Sequence, residues 1–207
     1  MRYTGPKNRL ARREGVDLGL KTMGSKSHAR LLKKLAVIPG QHGASRKRSK
    51  KTDYGIQLRE KQKIKRMYGV TERQMKKYFK KAMRRLGNTA DFLVRYLETR
   101  LDVVVYRLGF APTCAAARQL VSHGHIGVNK KKVNISSYEV SVGDEISFVR
   151  ETSAQIPYII QSIERKDYIL PDYLKKTNKT GTLVSYPTKE HMQNTVNLQL
   201  VIEALSR

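Results

Sequence analysis

The chain has 207 residues, of which 42 are Lys or Arg and 17 are Asp or Glu, so its formal net charge is +25. A single cysteine excludes an internal disulfide, as is typical of a reducing compartment, and no apolar run approaches the roughly 20 residues of a membrane span. The first residues lack the apolar stretch of a signal peptide, and we therefore expect a soluble cytoplasmic protein with no membrane partner.

The positive charge lies mainly at one end of the chain. Residues 1–85 carry 27 basic and 5 acidic side chains, which accounts for +22 of the net +25. A field this asymmetric favours a polyanion, because cations that neutralise phosphates release counterions. Nucleic acid is therefore the expected partner.

Residues 1–52 are rich in Gly, Ser, Lys and Arg. A helix is plausible over 28–35, and the rest is expected to be irregular chain that orders mainly against its partner. The turn at 39–43 contains two glycines that could present backbone N–H groups to a phosphate. The basic run at 46–51 is either a strap over an RNA backbone or a disordered tail.

Two basic helices are predicted next, over 53–68 and 71–86, with Gly69 and Gly87 as terminators. Thr71 and Gln74 have capping-box spacing. A Lys/Arg-rich helix face is usually just a solvated surface. Here only three acidic residues balance the cations from residue 44 to 85, which favours phosphate binding.

The remaining chain mixes helices and strands. A helix is predicted over 90–108, with a possible bend near Thr99, and another over 113–123, capped by Thr113 and ended by Gly124. Short strands are expected at 125–128, 133–135 and 146–149. A helix over 156–168, a strand over 182–186 and a closing helix or strand over 196–205 complete the prediction.

Catalysis has no support in the sequence. There is no P-loop, no GxSxG and no zinc-deaminase pattern. His123 and His125 have no convincing third ligand nearby, and Cys114 in an alanine-rich helix is most simply a small buried residue. We expect no enzyme activity, no cofactor and no metal.

Several stretches carry a resemblance to a known family. The segment TCAAARQLVSHGHIGVNKKKVNISSYEVSVGDEI, at 113–146, resembles the RNA-binding module named after the fourth protein of the small ribosomal subunit. RYTGPKNRLARREG, PGQHG, DYGIQLREKQKIKRMYGVTERQ, LETRLDVVVYRLGF and VNLQLVIEALSR are similar, in order, to the bacterial type of that ribosomal protein family. The resemblance covers nearly the whole chain.

The resemblance implies an α+β fold, with a mainly helical basic domain and a small α/β module of two helices packed on a twisted sheet. The expected divisions are a basic, mostly irregular segment 1–52, a helical domain 53–95, the module 96–152, and a segment 153–207 that packs back on the helical domain. The implied role is structural: binding of ribosomal RNA at a multi-helix junction of the 5′ domain, early assembly and translational accuracy.

The resemblance also implies contacts with small-subunit protein five and with messenger RNA where it enters the ribosome. Repression of the family member's own messenger is the least transferable of its properties. Three other functions compete with a structural ribosomal role: a free RNA-binding translational regulator, a DNA-compacting basic protein, and a module-bearing RNA-modifying enzyme. The last 57 residues are too few for a separate catalytic domain.

Five positions depart from the family pattern, and one of them is Val103, which stands where asparagine is usual. Lys130 stands where a hairpin turn commonly has glycine, so we expect a longer turn or another type. Cys114 stands where arginine or serine is common, which removes one phosphate contact. Asn8 and Ala11 replace the first two cysteines of the zinc site that some relatives carry, so we expect no zinc.

The candidate RNA contacts combine these patterns. For Arg118 the alternative is a salt bridge to Asp144 or Glu145, and the roles of Arg95, Arg100 and Arg107 stay open. In the basic amino-terminal part the candidates are Arg2, Lys7, Arg12, Arg13, Gln41, His42, Arg46, Lys47, Arg48, Lys50, Lys51, Tyr54, Arg59, Lys61, Lys63, Arg66, Arg73, Lys76, Lys77 and Arg84. In the module they are Thr113, Arg118, Gln119, His123, Lys130, Lys131 and Lys132.

Overall fold

The computed structural model describes residues 3–43, 52–165, 168–177, 179–192 and 196–206. The helices are α1 (Lys7–Glu14), α2 (Lys26–Lys33), α3 (Asp53–Met67), α4 (Glu72–Met83), α5 (Thr89–Glu98), α6 (Leu101–Arg107), α7 (Cys114–Ser122), α8 (Glu151–Ala154), α9 (Pro157–Ile163) and α10 (Leu198–Ser206). The strands are β1 (Ile126–Val128), β2 (Lys131–Lys132), β3 (Glu145–Phe148), β4 (Leu174–Thr177) and β5 (Thr180–Leu183). The predicted α+β class is confirmed.

The chain forms two compact units. The first, the helical unit, comprises Met1–Ala90 and Gln193–Arg207, and the second, the sheet unit, comprises Asp91–Met192. Of the segment 153–207, only the part from Gln193 onward therefore belongs to the helical unit. Residues up to Met192 belong to the sheet unit, because β5 pairs with β3 and extends its sheet.

The helical unit begins with a helix that the sequence did not predict. α1 packs against α2, and Ala11, Leu18 and Leu31 form a small buried cluster between them. Only a few apolar side chains build this cluster, so the mainly polar sequence around them shows little periodicity. The predicted helix over 28–35 is present as α2, which begins two residues earlier because Ser25 caps it by accepting the His28 N–H.

Each of the two basic helices begins directly after a threonine that caps it. Thr52 caps α3, and Thr71 caps α4 with the predicted capping box, in which Gln74 accepts the Thr71 backbone N–H at 2.9 Å. The closing segment is the helix α10, and it packs on α3. Gln57 of α3 donates to Glu203 of α10 at 2.8 Å, and Glu60 accepts the Asn197 N–H at 3.1 Å.

The sheet unit contains a five-stranded antiparallel sheet in the order β2-β1-β3-β5-β4. Leu101, Leu108, Phe110 and Ile146 are fully buried in its core, which the side chains of α6, α7 and the sheet share. Gly181 of β5 lies directly against Leu108, and a Cβ at this glycine would come within 2.4 Å of the leucine side chain. The predicted bend near Thr99 is confirmed, since α5 ends at Glu98 and α6 begins at Leu101.

Other predicted elements differ from the observed ones. The helix expected over 156–168 is shorter: α9 begins at Pro157, a residue preorganised for the first helical turn, and ends at Ile163. The return strand expected at 133–135 is β2, at Lys131–Lys132. The strand expected over 182–186 is β5, two residues earlier, and its partner β4 was not predicted.

The expectation of a hairpin turn that is longer or of another type is wrong. Val128 pairs directly with Lys131, so the turn has two residues, Asn129 and Lys130, with φ of 50° and 64°. Both are left-handed, as a type I′ turn requires. Asn129 stabilises the turn with its side chain, which donates to Asp144 at 2.7 Å and accepts the Glu145 N–H at 3.0 Å.

Lys130→Gly should therefore stabilise the sheet unit. Glycine removes about 1–2 kcal/mol of strain that lysine has in the left-handed conformation. Glycine also loses more backbone entropy on folding, but this cost is smaller. We therefore expect a gain of up to about 1 kcal/mol in the free energy of unfolding. Urea unfolding followed by circular dichroism measures it. Asn129→Gly is the matched control and should not stabilise, because it also removes two hydrogen bonds. A loss of stability in Lys130→Gly would contradict the strain argument.

Within the described part of the chain, no helix is long and apolar enough to cross a lipid bilayer.

Candidate nucleic-acid interface

Helix α4 presents a cationic face opposite its buried face. Met75, Phe79 and Ala82 are buried, and at 100° per residue they share one side of the helix. The basic residues occupy the other side and are all exposed: Arg73, Lys76, Lys77, Lys80, Lys81 and Arg84. Among the described residues, Lys76, Lys77 and Lys80 have no acidic partner. These three lysines can therefore give their full charge to an external anion.

The lysines of α3 differ, because acidic side chains of the same unit pair with them. Lys63 pairs with Glu60, and both Lys61 and Lys65 pair with Glu72 of α4, at 3.0 and 3.1 Å. Burial alone would raise the pKa of Glu72, but the hydrogen bonds from the two lysines outweigh it and the pKa lies below its ordinary value. These pairs connect α3 to α4, and Lys61 and Lys63 are less exposed than the lysines of α4.

Two arginines of α3 converge on one buried carboxylate. Glu14 ends α1, and its side chain is 1% exposed beneath Arg59 and Arg66, which are 32% and 20% exposed. The Nη1 atoms of both arginines donate to the same oxygen, Glu14 Oε1, at 3.3 Å for Arg59. Burial lowers the pKa of Arg66, the Glu14 charge opposes this effect, and the nearby guanidinium groups of Arg59 and Arg13 add to it.

Other candidates of the amino-terminal part occupy varied environments. Arg12 donates to the Val37 and Ile38 carbonyls at 3.0 and 3.4 Å, so it holds the following loop against α1. Lys7 is half-buried, and Arg13 and Tyr54 are exposed.

In the turn at 39–43, Gln41 and His42 are exposed. One of the N–H groups predicted to face a phosphate is occupied, since Gly43 donates to the Gly40 carbonyl at 3.1 Å. A Cβ at Gly43 would overlap the Ile38 carbonyl oxygen, so the turn requires glycine there. The candidates Arg2, Arg46, Lys47, Arg48, Lys50 and Lys51 lie outside the described residues.

In the sheet unit, Arg118 forms an ion pair, but with a different acid from the two that the sequence suggested. Its Nε and Nη2 atoms contact Asp102 Oδ2 at 2.7 and 2.6 Å. Asp102 is fully buried and also accepts from Arg100 Nε at 3.0 Å and Nη2 at 2.8 Å. Asp144 instead caps its own turn by accepting the Ser141 N–H.

A second buried carboxylate lies in the same unit. Glu98 is fully buried, accepts both fork donors of Arg107 at 3.0 and 2.6 Å, and accepts the Tyr173 hydroxyl at 3.0 Å. Burial and the Glu98 charge raise the pKa of Tyr173, so its hydroxyl stays a donor. Arg95 lies over the Tyr186 ring, 3.3 Å from its centroid. The three arginines whose roles the sequence left open therefore have partners within this unit.

The solvent face of α7 and the hairpin carries the remaining candidates. Gln119, His123, Lys130 and Lys131 are exposed. Lys132 is also exposed, and its side chain lies over Gly124, where an added Cβ would come within 2.2 Å of its Cε atom. A larger residue than glycine at the end of α7 would therefore displace this lysine.

Thr113, which caps α7, and Cys114, its first residue, are structural. Thr113 is buried, and its hydroxyl accepts the Ala116 N–H at 3.2 Å, which confirms the predicted cap and leaves little of the side chain for an RNA. Burial and the nearby Asp102 charge raise the pKa of Cys114 to about 12, so its thiol stays protonated near neutral pH. In the described ranges, no three His, Cys, Asp or Glu side chains cluster as metal ligands.

Sequence reasoning missed the three buried acids, Glu14, Glu98 and Asp102, because nothing in the local pattern marks an acid as buried. It also left out Lys80, whose spacing of three and four residues from Lys77 and Lys76 places it on the same face of α4.

Comparison with known proteins adds to this geometry. The family model described as "Ribosomal protein S4/S9 N-terminal domain" matches residues 2–98, and the one described as "S4 domain" matches residues 99–146. The small ribosomal subunit protein uS4 of Natranaerobius thermophilus is 49% identical over 209 residues, with 100% of this chain and 99% of the relative covered. The proteins of the same name from Vesicomyosocius okutanii and Chromobacterium violaceum are 46% and 47% identical at the same coverage.

Proposed function

Because the chain belongs to the family of small ribosomal subunit protein uS4, we propose that it is a structural component of the small ribosomal subunit that binds ribosomal RNA. The family is structural and non-enzymatic. The observation that carries the proposal is the cationic face of α4, where Lys76, Lys77 and Lys80 have no acidic partner among the described residues. Uncompensated charge of this kind repels itself in the free protein and is neutralised by phosphates.

The proposed contact has two parts. In the helical unit, α4 and the paired arginines of α3 meet the phosphate backbone. In the sheet unit, the exposed residues of α7 and the hairpin do so: Gln119, His123, Lys130, Lys131 and Lys132. Lysine and arginine contacts to phosphates position a protein on RNA without reading its sequence. Recognition therefore depends mainly on the shape of the folded RNA.

The finer roles implied by family resemblance belong to the same proposal. They are binding at a multi-helix junction of the 5′ domain, early assembly, an influence on translational accuracy, and contacts with small-subunit protein five and with messenger RNA where it enters the ribosome. Localisation to the cytoplasm and to the ribosome follows from the same premise.

A salt titration tests the proposal. With small-subunit ribosomal RNA, the association constant should fall with salt with a log–log slope of about −5 to −10, as expected if about ten phosphates are neutralised. The control is an unstructured RNA of equal length and charge, which should bind more weakly at every salt concentration because recognition depends on folded shape. A slope near zero, or equal affinity for both RNAs, would overturn the proposal.

A further inference from the structure

We propose that Glu14 is a positioning residue, which holds Arg59 and Arg66 as a paired guanidinium clamp for a single RNA phosphate. The inference rests on the proposed function, because it supposes that RNA is the ligand. It assigns to an acidic residue a role in binding a polyanion, which net charge alone would not suggest.

The first argument is the way in which the three side chains share their hydrogen bonds. Both Nη1 atoms donate to one oxygen, Glu14 Oε1, and Glu14 Oε2 is buried with no partner among the described residues. A guanidinium group has five N–H donors, so most of the donors of Arg59 and Arg66 stay available. Since the two Nη1 atoms contact the same oxygen, the guanidinium groups are close enough for one phosphate to bridge them.

The buried acids of the sheet unit show the contrasting arrangement. Glu98 accepts both fork donors of Arg107 on its two oxygens, and Asp102 does the same with Arg100. In a bidentate pair of this kind, the Nε and Nη2 donors of the arginine are both used within the protein. At Glu14 each arginine uses only its Nη1 atom, on one oxygen. This contact orients the two guanidinium groups and leaves their Nε and Nη2 donors for another acceptor.

The second argument is position. Arg59 and Arg66 are seven residues apart, so their Cα atoms are separated by roughly 10 Å along α3, and yet their side chains converge on one carboxylate. The carboxylate is buried and both arginines are partly exposed, so the cations lie on the solvent side of the acid. With Arg13 close to Arg66, the cluster keeps a net positive charge.

The third argument is the unfavourable site of the acid. Glu14 is the last residue of α1, where the partial negative charge of the helix end disfavours a carboxylate. A buried ion pair is also weak evidence for a stabilising role, because desolvation offsets the attraction. Orientation of the two arginines is a role that does not depend on a gain in stability.

The experiment compares Glu14→Gln with Glu72→Gln in the full chain, using small-subunit ribosomal RNA. Both variants remove one acid that pairs with two cations of the helical unit, and both raise the net charge by one. Electrostatics alone predicts that each variant binds RNA as tightly as the wild-type chain, or more tightly. A positioning role predicts that Glu14→Gln binds about tenfold more weakly, the loss of about one charge-assisted contact, while Glu72→Gln does not.

The salt dependence of binding provides a readout that a purely structural role would not change. In Glu14→Gln the log–log slope should decrease in magnitude by about one, since one phosphate contact is lost. Melting curves establish that each variant is folded. Binding of folded Glu14→Gln with wild-type affinity, or tighter, overturns the inference.

A second variant applies if Glu14→Gln does not fold. Arg59→Lys keeps the charge but loses the planar fork, and it should weaken binding several-fold if the clamp exists. Wild-type affinity of Arg59→Lys would overturn the inference. The wild-type titration distinguishes failure of the clamp from failure of the proposed function. If the proposed function were wrong, the unaltered chain itself would show no salt-dependent binding and no preference for folded RNA.

Discussion

Asp102→Ala should lower the free energy of unfolding of the sheet unit by about 3–5 kcal/mol, the range for removing one partner of a buried ion pair. Asp102 is fully buried and holds Arg100, which is itself only 2% exposed. Without the carboxylate, the buried Arg100 guanidinium would lose both of its hydrogen bonds to Asp102.

Arg118→Ala is the comparison variant. It leaves Asp102 paired with Arg100, and its site is 26% exposed, so water can replace the lost donor. We expect a loss of about 1–2 kcal/mol, well below that of Asp102→Ala. Urea unfolding of both full-length variants, followed by circular dichroism and by amide exchange in α6, measures the difference. An equal loss in both variants would mean that Arg118, and not Arg100, is the essential partner of the buried acid.

This ion pair also changes what can be expected of Arg118 as an RNA contact. Asp102 neutralises part of its charge and occupies two of its donors, so a phosphate would meet a weaker cation than the sequence suggested. The exposed lysines of the hairpin, Lys130 and Lys131, carry no such acidic partner in the described part of the chain. In the sheet unit they are the stronger candidates for backbone contact.

Local signals explain which helices could be predicted. α4 has a capping box at Thr71 and Gln74, and its buried residues recur at three and four, so its start and its buried face follow from sequence alone. α1 has no side-chain cap, since Pro6 precedes it, and only Ala11 of its eight residues is buried. A helix that is stabilised mainly by α2 and α3 has little of this local pattern.

The hairpin shows a different limit of sequence reasoning. Lys130 has a low preference for positive φ, which argued against a two-residue turn. Two hydrogen bonds of the Asn129 side chain oppose this preference: it donates to Asp144 and accepts the Glu145 N–H, fifteen and sixteen residues away. Such contacts depend on strand pairing and cannot be read from the turn itself.

The candidate site was predictable in its charge but not in its pairing. Every basic position of α3 and α4 is evident from the sequence, but which cations are neutralised depends on acids that are distant along the chain. Glu14 lies 45 residues from Arg59 and 52 residues from Arg66. The sequence therefore predicted a polyanion-binding unit. The structure adds the distinction between Lys61, Lys63 and Lys65, which pair with acids, and the exposed Lys76, Lys77 and Lys80.

That distinction gives the prediction with the largest expected effect on RNA affinity. The triple variant Lys76→Gln, Lys77→Gln and Lys80→Gln should weaken binding to small-subunit ribosomal RNA about 100-fold near physiological salt, and reduce the log–log salt slope by about three. Each lost phosphate contact removes about 1 kcal/mol of counterion-release free energy at this salt concentration. Glutamine preserves helix propensity, and the buried face of Met75, Phe79 and Ala82 is unchanged, so the melting temperature should stay close to that of the wild type.

The matched control removes the same charge from α3, by Lys61→Gln, Lys63→Gln and Lys65→Gln. These lysines pair with Glu60 and Glu72, so their loss frees two acids and weakens the contact between α3 and α4. We expect this variant to melt at a lower temperature and to lose much less of the salt slope than the α4 variant. If net charge alone governed binding, the two triple variants would lose equal affinity and equal slope, and the assignment of the RNA contact to the exposed face of α4 would be wrong.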